Sequence, residues 1–358
     1  MKEKKRKDVI RSIITAGSLL LWVVTFVGCG QNSDTNEGNK YRINQSDTDE
    51  EIQMEESSLA RWESSLQKGN QEELMAEAFR GMSVTREGKP CFAVSYEPRA
   101  YKNSFDCWTI SVPYQSMVTV DTETMYVYFR MLESVEWTPV YGVTNEQAGI
   151  TETSDHIFVA YYSGQTKEGG QAEPDRGITF RFGNQDEAGN YYVETDGRIW
   201  LAEGAVVDQL FAVNPFEFVL KVVSVVNLDT ISKVTVSFDD HSYEMRADGG
   251  MFWWNGKEMD SAEVYAVYTE LMSIFIEREL SPEEKENMDA GNRELLMSVT
   301  FERNREDAPK ITQRYYAFDE TYASVQVNGR EFFLVSREAL ASLQEKWKDT
   351  ERAFGGNS

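Results

Sequence analysis

The sequence predicts an α+β protein of two homologous lobes, each a mostly antiparallel β-sheet with a helix packed on one face. Three observations carry this. A helix-patterned segment occurs twice, "VDTETMYVYFRMLESVEW" at 120–137 and "MDSAEVYAVYTELMSIFI" at 259–276. Runs of alternating apolar and polar residues follow each copy, as in a half-buried strand. Each run contains a two-residue hairpin signal, Asp196-Gly197 in one and Asn328-Gly329 in the other, whose residue types tolerate the positive φ of a type I′ turn. The period is too long for a solenoid and implies duplicated domains.

Taken in order, residues 1–28 read as a bacterial secretory leader. Lys2, Lys4, Lys5, Arg6, Lys7 and Arg11 form a basic start, and residues 13–28, "IITAGSLLLWVVTFVG", form an apolar run. That run is shorter than the about 20 residues that span a bilayer. It closes on Val27-Gly28-Cys29, which resembles the lipobox of bacterial lipoproteins, with Phe26 where leucine is usual. The resemblance implies cleavage before Cys29 and a diacylglyceryl group on its thiol. The chain would then be anchored on the extracytoplasmic face of the cell membrane. An uncleaved signal anchor would leave the body on the same side.

Residues 29–50 are polar and rich in Asn, Asp and Ser, too poor in apolar surface to fold, and read as a disordered tether. Residues 51–80 read as a helical lead-in of two short helices. Its apolar stripe is Leu59, Trp62, Leu66 and then Leu74, Met75, Ala78, Phe79, broken at Lys68-Gly69-Asn70. The first repeat covers 81–213, the second 214–347, and 348–358 reads as a disordered tail.

Within the repeats, Asp121 and Asp260 stand at the helix N-caps, where a carboxylate accepts free backbone N–H bonds. One face of each helix is apolar: Met125, Phe129, Leu132, Val135 in the first, and Val264, Tyr268, Leu271, Phe275 in the second. A meander of about four strands follows, then a closing helix, "GAVVDQLF" (204–211) or "REALASLQEKW" (337–347). Val234, Val236 and Phe238 alternate with Thr235 and Ser237, so one sheet face is expected to be wet. Residues 214–233 join the lobes and are apolar enough to pack.

Cys91 and Cys107 lie symmetrically about Pro98-Arg99; a disulfide across a hairpin and two buried thiols both fit that spacing. Trp253 and Trp254 are neighbours on a strand, so they point to opposite faces; one ring is either an interaction surface for a partner or a sugar or is covered by the flanking helix or the other lobe.

The 36 Lys+Arg and 60 Asp+Glu give a net charge of −24, and removal of residues 1–28 makes it −28. Such a surface repels nucleic acid, so no nucleic-acid partner is expected. No enzyme chemistry is expected either. The two histidines, His156 and His241, fall at unrelated positions of the repeats. Ser65 and Lys68 have a Ser-x-x-Lys spacing without the companion motifs of penicillin-recognising enzymes. In residues 184–189, "NQDEAG", Ala188 stands where a calcium loop has an oxygen ligand, and no Glu falls at the closing position. No catalytic residue, metal ligand set or cofactor site is read.

Trp108 in the lead-in hairpin, the Asp-capped helix, Tyr141-Gly142 before the meander, "NYYVETDGRIWL" (190–201) and the duplication behind a lipoprotein-like leader resemble one bacterial family, domain of unknown function 4340. The resemblance spans about residues 81–347. It implies an accessory partner of ABC-type exporters related to gliding-motility systems, and it carries no catalytic residues. The expected function is a non-catalytic, lipid-anchored interaction module docking on ABC transporter subunits or an envelope assembly. The alternative is a solute-binding lipoprotein holding a small ligand between its lobes.

Overall fold

A computed structural model describes residues 61–99, 101–102, 106–115, 118–162, 175–288 and 293–355. The leader, Cys29, the tether and residues 51–60 lie outside these. All described residues belong to one compact unit.

In the first lobe, strands β2 (Phe79–Arg86), β3 (Lys89–Tyr96), β4 (Trp108–Val112) and β5 (Val118–Thr119) precede helix α1 (Thr122–Glu133). Then come β6 (Thr138–Val140), β7 (His156–Tyr161), β8 (Arg176–Gln185), β9 (Tyr191–Thr195), β10 (Arg198–Ala202) and α2 (Gly204–Phe211). The second lobe repeats the series as β11 (Ile231–Phe238), β12 (His241–Asp248), β13 (Met251–Trp254), β14 (Lys257–Met259) and α3 (Ser261–Met272). It continues with β15 (Ile276–Glu279), a short extra helix α4 (Pro282–Asn287), β16 (Leu295–Arg303), β17 (Ile311–Ala317), β18 (Tyr322–Val327), β19 (Arg330–Ser336) and α5 (Arg337–Gly355).

The sheet orders are β5-β4-β3-β2-β7-β8-β9-β10-β6 and β14-β13-β12-β11-β16-β17-β18-β19-β15. They are the same order with each strand replaced by its counterpart, and the named pairs along both paths are antiparallel. Even a β-bulge recurs, between Phe79 and Gly81 on β2 and between Ile231 and Lys233 on β11. A bulge is a specific departure from the ladder, so its recurrence ties the lobes together more closely than strand count alone.

Local chemistry accounts for the shared elements. Asp121 Oδ1 accepts from Glu123 N at 3.1 Å, and Asp260 Oδ1 from Ala262 N at 2.8 Å, satisfying donors that an uncapped helix leaves free. Met125, Phe129 and Leu132 of α1 and Val264, Tyr268 and Leu271 of α3 are buried against their sheets. Asp196-Gly197 and Asn328-Gly329 both take positive φ, as a type I′ turn demands.

Several expectations are corrected. The lead-in is not two helices: 61–65 are helical, β1 (Gln67–Lys68) pairs in parallel with β8, and single 3₁₀ turns at Gln71–Glu73 and Ala76–Ala78 lead into β2. The apparent second stripe mixed turn and strand residues, since Met75 is exposed while Phe79 opens a central strand. The strands shared with the second lobe therefore begin two residues before 81, at Phe79, and β1 joins the first sheet ahead of them. The disordered-tail reading of 348–358 fails through Gly355, because α5 continues there. Trp347 is fully buried, and Glu351 Oε2 accepts from Trp254 Nε1 and Asn255 Nδ2 at 2.6 Å each. The last three residues lie outside those described.

Cys91 and Cys107 are not joined in a disulfide. Tyr96 pairs with Trp108, which centres the hairpin near Lys102 rather than Pro98-Arg99, and Cys107 O accepts from Glu97 N, six residues along from Cys91. The disulfide alternative is thereby excluded by register. The single wet face holds along β11 of the second lobe and β8 of the first, but not over β2, β3 and β7, where residues of both faces are buried.

Candidate functional site

The two sheets differ where their outer faces meet solvent. Pairing register makes Gly81, Ala93, Phe158 and Ala160 of the first lobe the counterparts of Lys233, Glu244, Thr300 and Glu302 of the second. In the second lobe these positions form a charge-paired surface. Lys233 Nζ lies 3.1 Å from Glu302 Oε1 and 3.8 Å from Glu244 Oε2. In the first lobe the same positions form an apolar, small-residue groove filled by residues 61–69, a strap arriving from the N-terminal side. Trp62 sits edge-on to Phe158 with centroids 5.3 Å apart, and Ser83 Oγ donates to Glu63 Oε1 at 2.8 Å. Gly69 N donates to Gly177 O at 2.8 Å. Gly81 is required here: a Cβ on it would stand 2.5 Å from the Trp62 ring and 2.8 Å from Val94 O. Phe158, Ala160 and Ala93 are buried on an outer face because the strap covers them.

Trp253 and Trp254 part as strand geometry requires. Trp254 is fully buried, 4.8 Å from the Trp347 ring and 6.2 Å from that of Tyr243. Trp253 is half-buried and lines an open hollow of about 860 Å³ with Asp229, Arg246, Asp248, Phe252 and Asn304. This hollow joins an aromatic ring to amide, carboxylate and guanidinium groups.

The seam between the lobes is filled. Residues 218–223 run between the sheet edges: Leu220 N donates to Thr119 O, Asp121 N to Phe218 O, Val223 N to Ile274 O and Ile276 N to Lys221 O. Fully buried Tyr114 of the first lobe packs on Phe332 and Phe333 of the second at 5.5 and 5.0 Å. Arg330 Nη1 donates across the seam to Gln115 O at 2.8 Å. One hydrophobic core runs unbroken through both lobes. The cavity at the seam is about 20 Å³, room for about one water.

Lys221 is a second cation at the seam, besides Arg330. Its ammonium donates to Phe216 O and Val219 O and lies over the Phe216 ring. Burial pushes its pKa down to about 8, against the opposing pull of Asp121, Glu217 and Glu279. A lysine that loses its proton earlier in the folded state is less costly to fold once it is neutral. Its stability contribution therefore rises as pH climbs from about 8 toward the ordinary value of 10.5. Urea midpoints measured from pH 7.5 to 10 should rise more, or fall less, in the parent than in Lys221→Met. Parallel curves would contradict this.

The remaining sequence-marked residues do not converge. His156 Nδ1 contacts Ser154 O, whereas Asp155 Oδ1 accepts from Glu87 N, so the neighbours serve different turns. His241 opens β12 and contacts Asp239 O. Ser65 Oγ donates to Trp62 O, and Lys68 lies in β1, so the Ser-x-x-Lys spacing is not helical here. Asp186 folds its own turn by accepting from Ala188 N and Asn190 N. Among the described residues no group of three or more His, Cys, Asp or Glu is placed to hold a metal ion, and no helix is long and apolar enough to cross a membrane. Sequence reading missed the strap groove, Tyr114 and Lys221. The one visible sign was Trp62 in an otherwise charged stretch.

No protein-family model matches the chain, and neither a curated protein nor a solved structure matches it.

Proposed function

We propose that this chain is a non-catalytic interaction module. It is tethered by lipid on Cys29 to the extracytoplasmic face of a bacterial cell membrane and acts as an accessory to an ABC-type transporter or envelope assembly. The observation that carries this reading is the division of labour between the outer sheet faces: one accepts a peptide segment, and the other is open and charge-paired. Extended sheet faces of this kind act through area and complementarity rather than through reactive groups. The leader and the resemblance to the domain of unknown function 4340 family supply the location and the class of partner.

The solute-receptor alternative loses its main support at the seam. A ligand of ordinary size needs a cleft of about 300 Å³ or more, and the lobes instead share a core across a space of about 20 Å³.

The test is recovery from detergent-solubilised membranes of cells making the tagged chain. Transporter or envelope subunits should co-purify, and Cys29→Ala should move the chain out of the membrane fraction. Consistent recovery of the chain alone would defeat the partner reading. Unchanged fractionation of the Cys29→Ala chain would defeat the anchor.

A further inference from the structure

We propose that the outer face of the first sheet is a peptide-acceptor groove. The chain's own strap is its resident ligand, and it opens by exchange to a partner protein's segment of the same chemistry. That chemistry is a tryptophan followed by a carboxylate, with a leucine four positions after the tryptophan, entering a short parallel strand.

The groove is built by the sheet's interior and the strap is only laid on it. Gly81 and Ser83 lie on β2, Ala93 on β3, Phe158 and Ala160 on β7, and Gly177 on β8, all interior strands. Most of the strap faces solvent: Arg61, Ser64, Ser65, Gln67 and Lys68 are exposed, Trp62 and Leu66 are half-buried, and firm anchoring comes at its end, where Gly69 N donates to Gly177 O and Asn70 N to Tyr161 Oη. Weakly held, solvent-facing segments sample open states far more often than sheet interiors do. When the strap leaves, Phe158, Ala160 and Ala93 meet water, and a replacement cover is favoured by the same apolar burial.

The groove's shape fixes what the cover must be. A Cβ on Gly81 would stand 2.5 Å from the Trp62 ring, so the depression is sized for an indole. A Cβ on Gly177 would reach to 3.3 Å from the Leu66 Cβ, which sets the second anchor. Ser83 Oγ supplies a hydroxyl to the carboxylate beside the indole, and the free side of β8 accepts a strand, as Gln67 pairs with Arg176 and Lys68 with Gly177. The second lobe has none of this. Lys233, Glu244 and Glu302 occupy the matching positions and pair with one another. Two copies of one sheet have thus diverged, one to receive a peptide and one to stay wet.

The probe is a fluorescein-labelled synthetic peptide covering residues 60–70, offered to the full chain and read by anisotropy. Trp62→Ala weakens the resident strap, so that variant should bind the peptide saturably and at least about tenfold more tightly than the parent chain, where the strap competes. A peptide carrying alanine in place of the tryptophan should not bind. Adding Gly81→Val to the Trp62→Ala chain should abolish binding by filling the indole's place. If Trp62→Ala does not fold by circular dichroism, Glu63→Ala/Leu66→Ala weakens the strap while leaving the indole and every sheet residue in place, and it should show the same preference over the parent. Absence of saturable binding to a folded strap variant, or undiminished binding after Gly81→Val, would overturn the proposal. The experiment needs no membrane or transporter, so its failure would leave the co-purification test above untouched.

Discussion

Trp347→Ala is expected to lower the unfolding free energy by about 3–5 kcal/mol, the usual cost of emptying a large aromatic site in a packed core. Trp347 is fully buried beyond the end of the second sheet's last strand. Its ring lies 4.8 Å from Trp254 and 6.3 Å from Tyr243, so its loss opens a cavity shared by three aromatics from three elements. It also holds the final turns of α5 in place, where Glu351 accepts from Trp254 Nε1 and Asn255 Nδ2 and Lys348 Nζ lies 3.0 Å from Asp239 Oδ2. Urea unfolding followed by far-UV circular dichroism checks the loss, and hydrogen exchange should show residues 348–355 losing protection together. A loss below about 1 kcal/mol would mean that the helix end is not anchored by this ring. The surface variant Arg352→Ala should sit within about 0.5 kcal/mol of the parent, as exposed ion pairs contribute little.

How much of this was legible follows from how local each signal is. Asp121 and Asp260 with their apolar stripes are complete within a dozen residues, and both helices form where read, although Val135 and Phe275, counted in the stripes, fall beyond the helix ends. Asp196-Gly197 and Asn328-Gly329 are equally local. Glu87-Gly88 makes the same positive-φ turn, but glutamate is not a turn residue by type. Asp155, 68 positions away, accepts its backbone N–H. The edge strands β6 and β15 are three and four residues long, and Pro139 interrupts the pattern of the first. A short, proline-bearing edge strand discourages pairing with other chains, and those features also hide it from a periodicity search. The strap groove was least legible. Its residues come from four strands, none of them unusual alone, and its meaning appears only when Gly81 and Ala160 are set against Lys233 and Glu302. The cysteines mislead in the opposite way: symmetry about Pro98-Arg99 is a property of the string, while the hairpin's centre is set by Tyr96 pairing with Trp108.

Tyr114→Ala should be the second large loss, again about 3–5 kcal/mol, and it should also change the form of the transition. Tyr114 is one of the largest fully buried side chains, and it is inserted between lobes rather than within one. Its ring meets Phe332 and Phe333, and Phe333 in turn meets Phe216 of the linker at 6.0 Å. This aromatic chain joins two sheets, each with its own helix, into one core, and the lobes are expected to unfold as a unit. Without it the lobes keep the linker's backbone bonds, its buried Phe218 and Val219, the Phe216–Phe333 contact and the Arg330 contact to Gln115 O, but lose the largest ring inserted between the sheets. Tryptophan fluorescence and far-UV circular dichroism should therefore coincide in urea for the parent and separate in the variant. Tyr114→Phe keeps the ring and drops only a phenol whose pKa is raised by burial beside Glu279, so it should retain the coincident transition. Separation in the parent would mean that the lobes do not unfold as a unit, and coincidence in Tyr114→Ala with a loss below about 1 kcal/mol would place the coupling in the linker. If the aromatic chain does hold the lobes together, the relative position of the strap groove and the charge-paired face is fixed, and a partner touching both faces a preset geometry rather than a hinge.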